Sequence, residues 1–251
     1  GWDLKRFIRS LMLTETYCQS TRTTDLDLER DPNNRLLARG PRFRMDAEMI
    51  RDQALFISGL LIEKMGGPSV KPYQPPGLWK AVGYSGSNTV KFSKDTGEAL
   101  YRRSIYTFWR RTCSPPNMRL FDAPTREKCI VRRSRTNTPL QALVTLNDPV
   151  YVEAAQALAR RMVENGQTTA DKARFGFRLC LARPPNDAEL NMLTTLYDQS
   201  LFELAGNVEQ ATSLATEPLG AAPAGVDVIE LAAWTVVANV LLNLDEMFLK
   251  R

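Results

Sequence analysis

The residues with the most chemical potential lie near the front of the chain: Arg44, Glu48, Arg51 and Asp52, spaced by three and four. On a helix that spacing places them on one face. Two carboxylates there are the groups that general acid–base chemistry needs, provided one has its pKa raised above the other. The interleaved arginines act in the opposite sense, because a nearby guanidinium favours the ionised carboxylate. The set therefore reads better as a strut locking this helix to a neighbouring loop. Asp122, beside Arg126 and Glu127, is a third carboxylate that could join Glu48 or Asp52 in a glycosidase-type pair. A chain with 28 acidic residues offers such pairs without any function attached.

Histidine is absent from all 251 residues. That excludes a Ser-His-Asp or Cys-His triad, His-ligated zinc and a locally ligated haem within this sequence. Cys18, Cys113, Cys129 and Cys180 contain no Cys-x-x-Cys pair. A Cys113–Cys129 disulfide and buried free thiols both remain open. No metal spacing or cofactor motif is present, and neither Ser104 nor Thr107 has a base of the usual kind nearby.

Binding is the other chemistry on offer. Arg102, Arg103, Arg110, Arg111, Arg132, Arg133 and Arg135 are interleaved with Tyr101, Tyr106, Phe108 and Trp109. Arginine with aromatic rings can hold sulfated or carboxylated glycans, or stack on nucleotide bases. The alternative is a set of internal ion pairs to Asp122, Glu127 and Asp148, with the rings in the core. Tyr73, Trp79 and Tyr84 in a proline-glycine segment suggest a sugar-stacking platform, or anchors for that segment. Asn137, Gln141 and Asn147 could bind hydroxyls, yet their positions commit them to backbone. A net charge of +5 with acids interspersed falls short of a nucleic-acid footprint.

The elements that must position these groups are mainly helices. Leu4, Phe7, Ile8, Leu11 and Met12 give a helical stripe from Asp3 to about Tyr17. The polar stretch from Gln19 to Asn34 reads as a loop. A second helix is expected from about Asp46 to Lys64, stopped by Gly66-Gly67-Pro68. From Pro68 to Thr96, Pro72, Pro75 and Pro76 with Gly77, Gly83 and Gly86 require a long ordered loop, with a short hairpin near Thr96-Gly97. Leu100 to Arg111 has a helical face and a strand-like composition, and the helix is preferred.

Thr138-Pro139-Leu140-Gln141 reads as a capping box, and Asp148-Pro149 and Asn186-x-x-Glu189 open two further helices. A linker near 216–226 precedes a last helix from Ile229 to Leu244. No run reaches the ~20 apolar residues that span a bilayer. The expected fold is mainly α: one multi-helix globular module with a long Pro/Gly-rich loop and at most a small β hairpin. Its parts are N-terminal helices (1–67), the ordered loop (68–98), an Arg/aromatic region (99–149) and C-terminal helices (150–251). Gly1 to Lys5 shows neither a leading Met nor a signal pattern, so an internal or C-terminal piece of a larger protein is expected.

Many co-linear blocks carry a family likeness. They include Trp2-Asp3-Leu4-Lys5, Thr16-Tyr17-Cys18-Gln19-Ser20, Asp31-Pro32-Asn33-Asn34 and Arg42-Phe43-Arg44-Met45-Asp46-Ala47-Glu48. Pro72-Tyr73-Gln74-Pro75, Tyr101-Arg102-Arg103-Ser104-Ile105-Tyr106-Thr107-Phe108-Trp109 and Phe121-Asp122-Ala123-Pro124 follow. Arg135-Thr136-Asn137-Thr138-Pro139-Leu140-Gln141 and Leu146-Asn147-Asp148-Pro149 complete the set, with Glu230 to Trp234 near the end. Together they make the chain resemble the planctomycete-type domain of unknown function 1553.

Cys18 stands where the family's Tyr-Arg-Gln-Ser pattern has a basic residue. The resemblance implies the C-terminal part of a large exported protein, joined upstream to companion domains and often to a c-type cytochrome. It carries no catalytic residues over. The resulting expectation is a non-catalytic scaffolding or binding module whose partners are upstream domains of the same polypeptide and polysaccharide. The alternatives are a polysaccharide-acting enzyme and an accessory docking domain for the cytochrome.

Overall fold

The structure is a computed structural model describing residues 1–87 and 90–250, with Lys250 described by its backbone. Among these residues are eleven α-helices and one two-stranded antiparallel pairing. The mainly-α expectation holds. The chain divides into two compact units, residues 1–45 with 248–251, and residues 46–247.

The smaller unit contains α1 (Leu4–Met12), α2 (Asp25–Arg30), β1 (Phe43–Arg44) and β2 (Leu249–Lys250). Asp3 caps α1, accepting the Arg6 N–H at 3.0 Å. The helix ends five residues before Tyr17, and its apolar stripe is exposed rather than buried. The segment expected to be a loop holds α2, whose signal is the Thr24/Asp27 capping box. Downstream, the Asp31 carboxylate accepts the Arg35 and Leu36 N–H groups, and the Arg39 guanidinium donates to the Asp31 and Pro32 carbonyls. The Asp31-Pro32-Asn33-Asn34 block is thus a self-bonded turn. Arg44 lies in β1, outside the helix that carries Glu48 and Asp52 from Ala47 on, with its guanidinium 5.2 Å from the Phe248 ring centre.

The larger unit is built around α11 (Val228–Leu242). Apart from Glu230, Thr235 and Asn239 this helix is apolar, as a helix with neighbours on most sides must be. Leu231, Trp234, Val237 and Leu241 are buried, and Trp234 stacks on Tyr197 at 4.4 Å. Around α11 pack α6 (Pro139–Asn147), α7 (Pro149–Asn165), α8 (Thr169–Leu181), α9 (Asp187–Ala205) and α10 (Val208–Thr216). On α7, Ala154, Ala155, Leu158, Ala159 and Met162 are buried, the small residues allowing close approach. Asp148 caps α7 and Asn186/Glu189 form the capping box of α9, as expected. A second box, Thr168/Asp171, starts α8. Residues 217–227, between α10 and α11, contain no helix.

The helix α3 (Ala47–Ser58) packs on α7. It stops six residues short of Lys64, because Gly59 turns left-handed at φ 81° and Leu60 N–H bonds the Leu55 carbonyl at 2.9 Å. The Pro/Gly-rich loop follows, interrupted by the five-residue α4 (Leu78–Val82). No hairpin forms at Thr96-Gly97; Gly97 opens a 3-10 turn to Tyr101.

Leu100 to Arg111 is not a helix. A second 3-10 turn covers Ser104–Tyr106, and single parallel bridges join Ile62 to Arg102 and Val70 to Thr107. The Ile-Tyr-Thr-Phe composition suits extended pairing, and Val70 exchanges backbone bonds with Tyr106 and Phe108 at 2.8 and 2.7 Å. The five-residue α5 (Pro116–Leu120) leads into the 124–135 segment. All four cysteines are free, so the disulfide is absent.

Candidate functional site

The first turn of α3 places Glu48 on the surface facing the 124–135 segment. Arg133 grips its carboxylate through both nitrogens, at 2.6 and 3.2 Å, and Arg126 lies 3.9 Å away. Burial resists ionisation of Glu48, but the Arg133 hydrogen bonds and charge outweigh it and hold the carboxyl below its usual range. One turn on, Asp52 accepts the Ser104 N–H at 2.7 Å and lies 3.7 Å from Arg103. Arg133, Arg126 and Arg103 reach these carboxylates from outside α3, while Arg51 of the helix itself lies 3.9 Å from Asp52.

Arg51 points inward and is buried. Its guanidinium donates to the carbonyls of Leu100 and Arg102 at 2.6 and 2.9 Å and to Ser104 Oγ at 3.1 Å. Asp122 joins neither Glu48 nor Asp52 by a bond. Held at φ 60°, it accepts the Thr136 N–H at 2.7 Å and the Thr136 hydroxyl.

The sugar-stacking platform does not form. Trp79 is 2% exposed, packed edge-on to Phe92 at 5.1 Å and against Phe108 at 5.6 Å. Tyr73 turns inward and donates to Glu153 Oε1 at 3.2 Å. Only Tyr84 is exposed. Arg102 is also withdrawn: it is buried, stacks 3.8 Å from the Tyr106 ring centre and donates to the Lys64, Gly66 and Pro68 carbonyls. Its neighbour Arg103 remains half exposed. Gln141 is buried, and its amide donates to the Leu120 and Thr136 carbonyls at 2.9 and 3.2 Å. Thr138 makes no side-chain cap. Asn147 donates to the Leu143 carbonyl at 2.9 Å, and Asn137 lies exposed just upstream of α6.

Two carboxyls have raised pKa values. Asp148 is pushed up by burial, against the Val150 N–H, Asn117 and the Arg51 charge. Glu153 on α7 was not anticipated. It is 3% exposed, accepts the Tyr101 and Tyr73 hydroxyls at 2.7 and 3.2 Å, and burial lifts its pKa. The signal available in sequence was an acid inside an otherwise buried run, Val150 to Leu158. Glu153 is an anchor: it fastens the Pro/Gly-rich loop and the first 3-10 turn to α7 through two phenols.

What remains open to solvent is a surface. A groove of 670 Å³ runs along α3, with Met49, Phe56 and Ile105 as apolar walls, 51%, 65% and 67% exposed. The paired charges Glu48, Asp52, Arg103, Arg126 and Arg133 line it. Beside it a cleft of 720 Å³ is formed by Asp46 and the 124–135 segment. Arg126 covers the Trp109 ring at 4.5 Å, and the Trp109 indole donates to the Thr125 carbonyl. Among the described residues, no group of three or more acidic or cysteine side chains is placed to hold a metal, and no helix is long and apolar enough to cross a membrane.

A mainly helical unit with tightly paired polar residues and an apolar surface groove is thus the class that fold and site define. The chain belongs to the PSD1 family, described as a protein of unknown function (DUF1553), whose model matches residues 1–197. No match was found among curated proteins or among solved structures.

Proposed function

We propose that this chain is a non-catalytic docking module, and that the groove along α3 receives another domain of the same polypeptide. The observation that carries this reading is the groove's composition. Met49, Phe56 and Ile105 stand clear of the core, ringed by arginine–carboxylate pairs. Apolar centres with charged rims are the anatomy of protein interfaces. The arginine pairing of its carboxylates suits that role. Glu48 is kept ionised by Arg133, so it holds no proton to donate near neutral pH.

The exported setting and the companion domains come with the family resemblance. A polysaccharide contact loses its best support, since Trp79 and Tyr73 face inward.

The reading is tested by expressing the chain and the remainder of its parent polypeptide as separate proteins and measuring co-elution. Wild type should co-elute and Phe56→Asp should not, while circular dichroism shows the variant folded. Unchanged co-elution of Phe56→Asp would overturn the groove as the docking surface.

A further inference from the structure

The cleft beside the groove differs from it in charge. Its walls carry Arg126, Lys128, Arg132, Arg133 and Arg135 against Asp46 and Glu127, five cations against two anions. Arg133 is committed to Glu48, and Arg126 lies over Trp109 near that same carboxylate. Lys128 and Arg132, by contrast, are exposed on a segment without regular structure. The same segment lifts Ile130 and Val131 into solvent, Val131 fully.

From this we infer that the cleft binds an acidic, aliphatic-bearing stretch of polypeptide, which rests on the docking reading and names the chemistry of the docked segment. Charge complementarity selects an anion. Exposed aliphatic side chains between the cations, continuing into Met49 and Ile105 of the groove, select a peptide over a glycan. Sugars stack on aromatic faces, and among the described residues none lines the cleft. Arginine adds planar, two-pronged recognition of carboxylates. The partner segment would lay Asp or Glu side chains along Lys128 and Arg132, and an apolar anchor in the groove.

The test is selection of a random phage-displayed peptide library on the purified full chain. Enriched peptides should combine acids with Leu, Ile or Val. Their affinity for the charge-reversed variant Arg132→Glu with Lys128→Glu should fall at least tenfold and should weaken with added salt. These two side chains are exposed, so the variant keeps the fold. Enrichment of apolar peptides without acids, still sensitive to Phe56→Asp, would overturn the acidic-partner inference and leave the docking groove standing. No enrichment of any sequence would overturn both. Polygalacturonate displacing the peptides with comparable affinity would overturn the choice of polypeptide in favour of an acidic glycan.

Discussion

Arg133 holds both carboxylate oxygens of Glu48, at 2.6 and 3.2 Å, and so ties the 124–135 segment to the first turn of α3. The bond shapes the boundary between groove and cleft. It also keeps Glu48 ionised near neutral pH, with no proton to donate. Two-pronged pairing of this kind is among the stronger surface contacts, though partial exposure of Arg133 limits its worth to about 1 kcal/mol.

Breaking that bond has a defined pH signature. The folded pKa of Glu48 lies below its unfolded value of about 4.3, so its contribution is present above that pH and lost as pH falls through the folded pKa. Glu48→Gln should be less stable than wild type by about 1 kcal/mol near neutrality. The deficit should shrink on acidification below about pH 4. Urea melts at several pH values measure it. Trypsin should also cut the 124–135 segment faster in Arg133→Met.

Glu153 titrates with the opposite sign. Burial raises its folded pKa, so its contribution is fully present below the unfolded value and is lost as pH rises through the folded one. The groups facing it are the Tyr73 and Tyr101 hydroxyls, Lys94 and Arg51. Glu153→Gln should therefore gain stability relative to wild type as pH rises above about 4 and through the folded pKa. Tyr101→Phe, which strips the shorter bond from a buried carboxylate, should cost about 1 to 3 kcal/mol at neutral pH. A flat difference between Glu153→Gln and wild type across that range would contradict the buried-anchor description.

Trp79 separates a core residue from a binding platform. Buried between Phe92 and Phe108, it should cost about 3 to 5 kcal/mol when changed to alanine. Exposed Tyr84 should change stability by less than about 0.5 kcal/mol. Equal, small effects at both positions would mean that Trp79 is no part of the core.

The helices of the larger unit were legible because apolar periodicity and caps agreed, as at Asp148-Pro149 and Asn186-x-x-Glu189. The end of α3 was not. Gly66-Gly67-Pro68 is the louder stop signal, yet Gly59 ends the helix where Arg161 of α7 reaches across to donate to the Ile57 carbonyl. That tertiary contact leaves no trace in local sequence. Gln141 misled for the converse reason: Thr-x-x-Gln spacing matches a capping box, but the amide is drawn into the core by the Leu120 and Thr136 carbonyls. The groove was illegible because exposure of Met49, Phe56 and Ile105 depends on which helix faces find neighbours, and periodicity assigns apolar residues to the core by default.

Gly59 itself supplies a check on that account. At φ 81° an alanine would adopt a left-handed conformation at a cost of about 1 to 2 kcal/mol. Alanine at Gly66 faces the same backbone cost, so the decisive readout is helical: only Gly59→Ala should alter hydrogen-exchange protection at Leu60 and Leu61, whose N–H groups bond the Leu55 carbonyl.

Hydroxyl-radical footprinting of Met49 and Phe56, in the chain alone and in the longer parent polypeptide that the docking proposal requires, tests the docking groove most directly. Both side chains are exposed in the chain, so both should label readily there. Burial by a docked domain should reduce labelling of both at least severalfold in the parent, while exposed Tyr84 labels equally in the two. Equal labelling of Met49 and Phe56 in chain and parent would contradict the account.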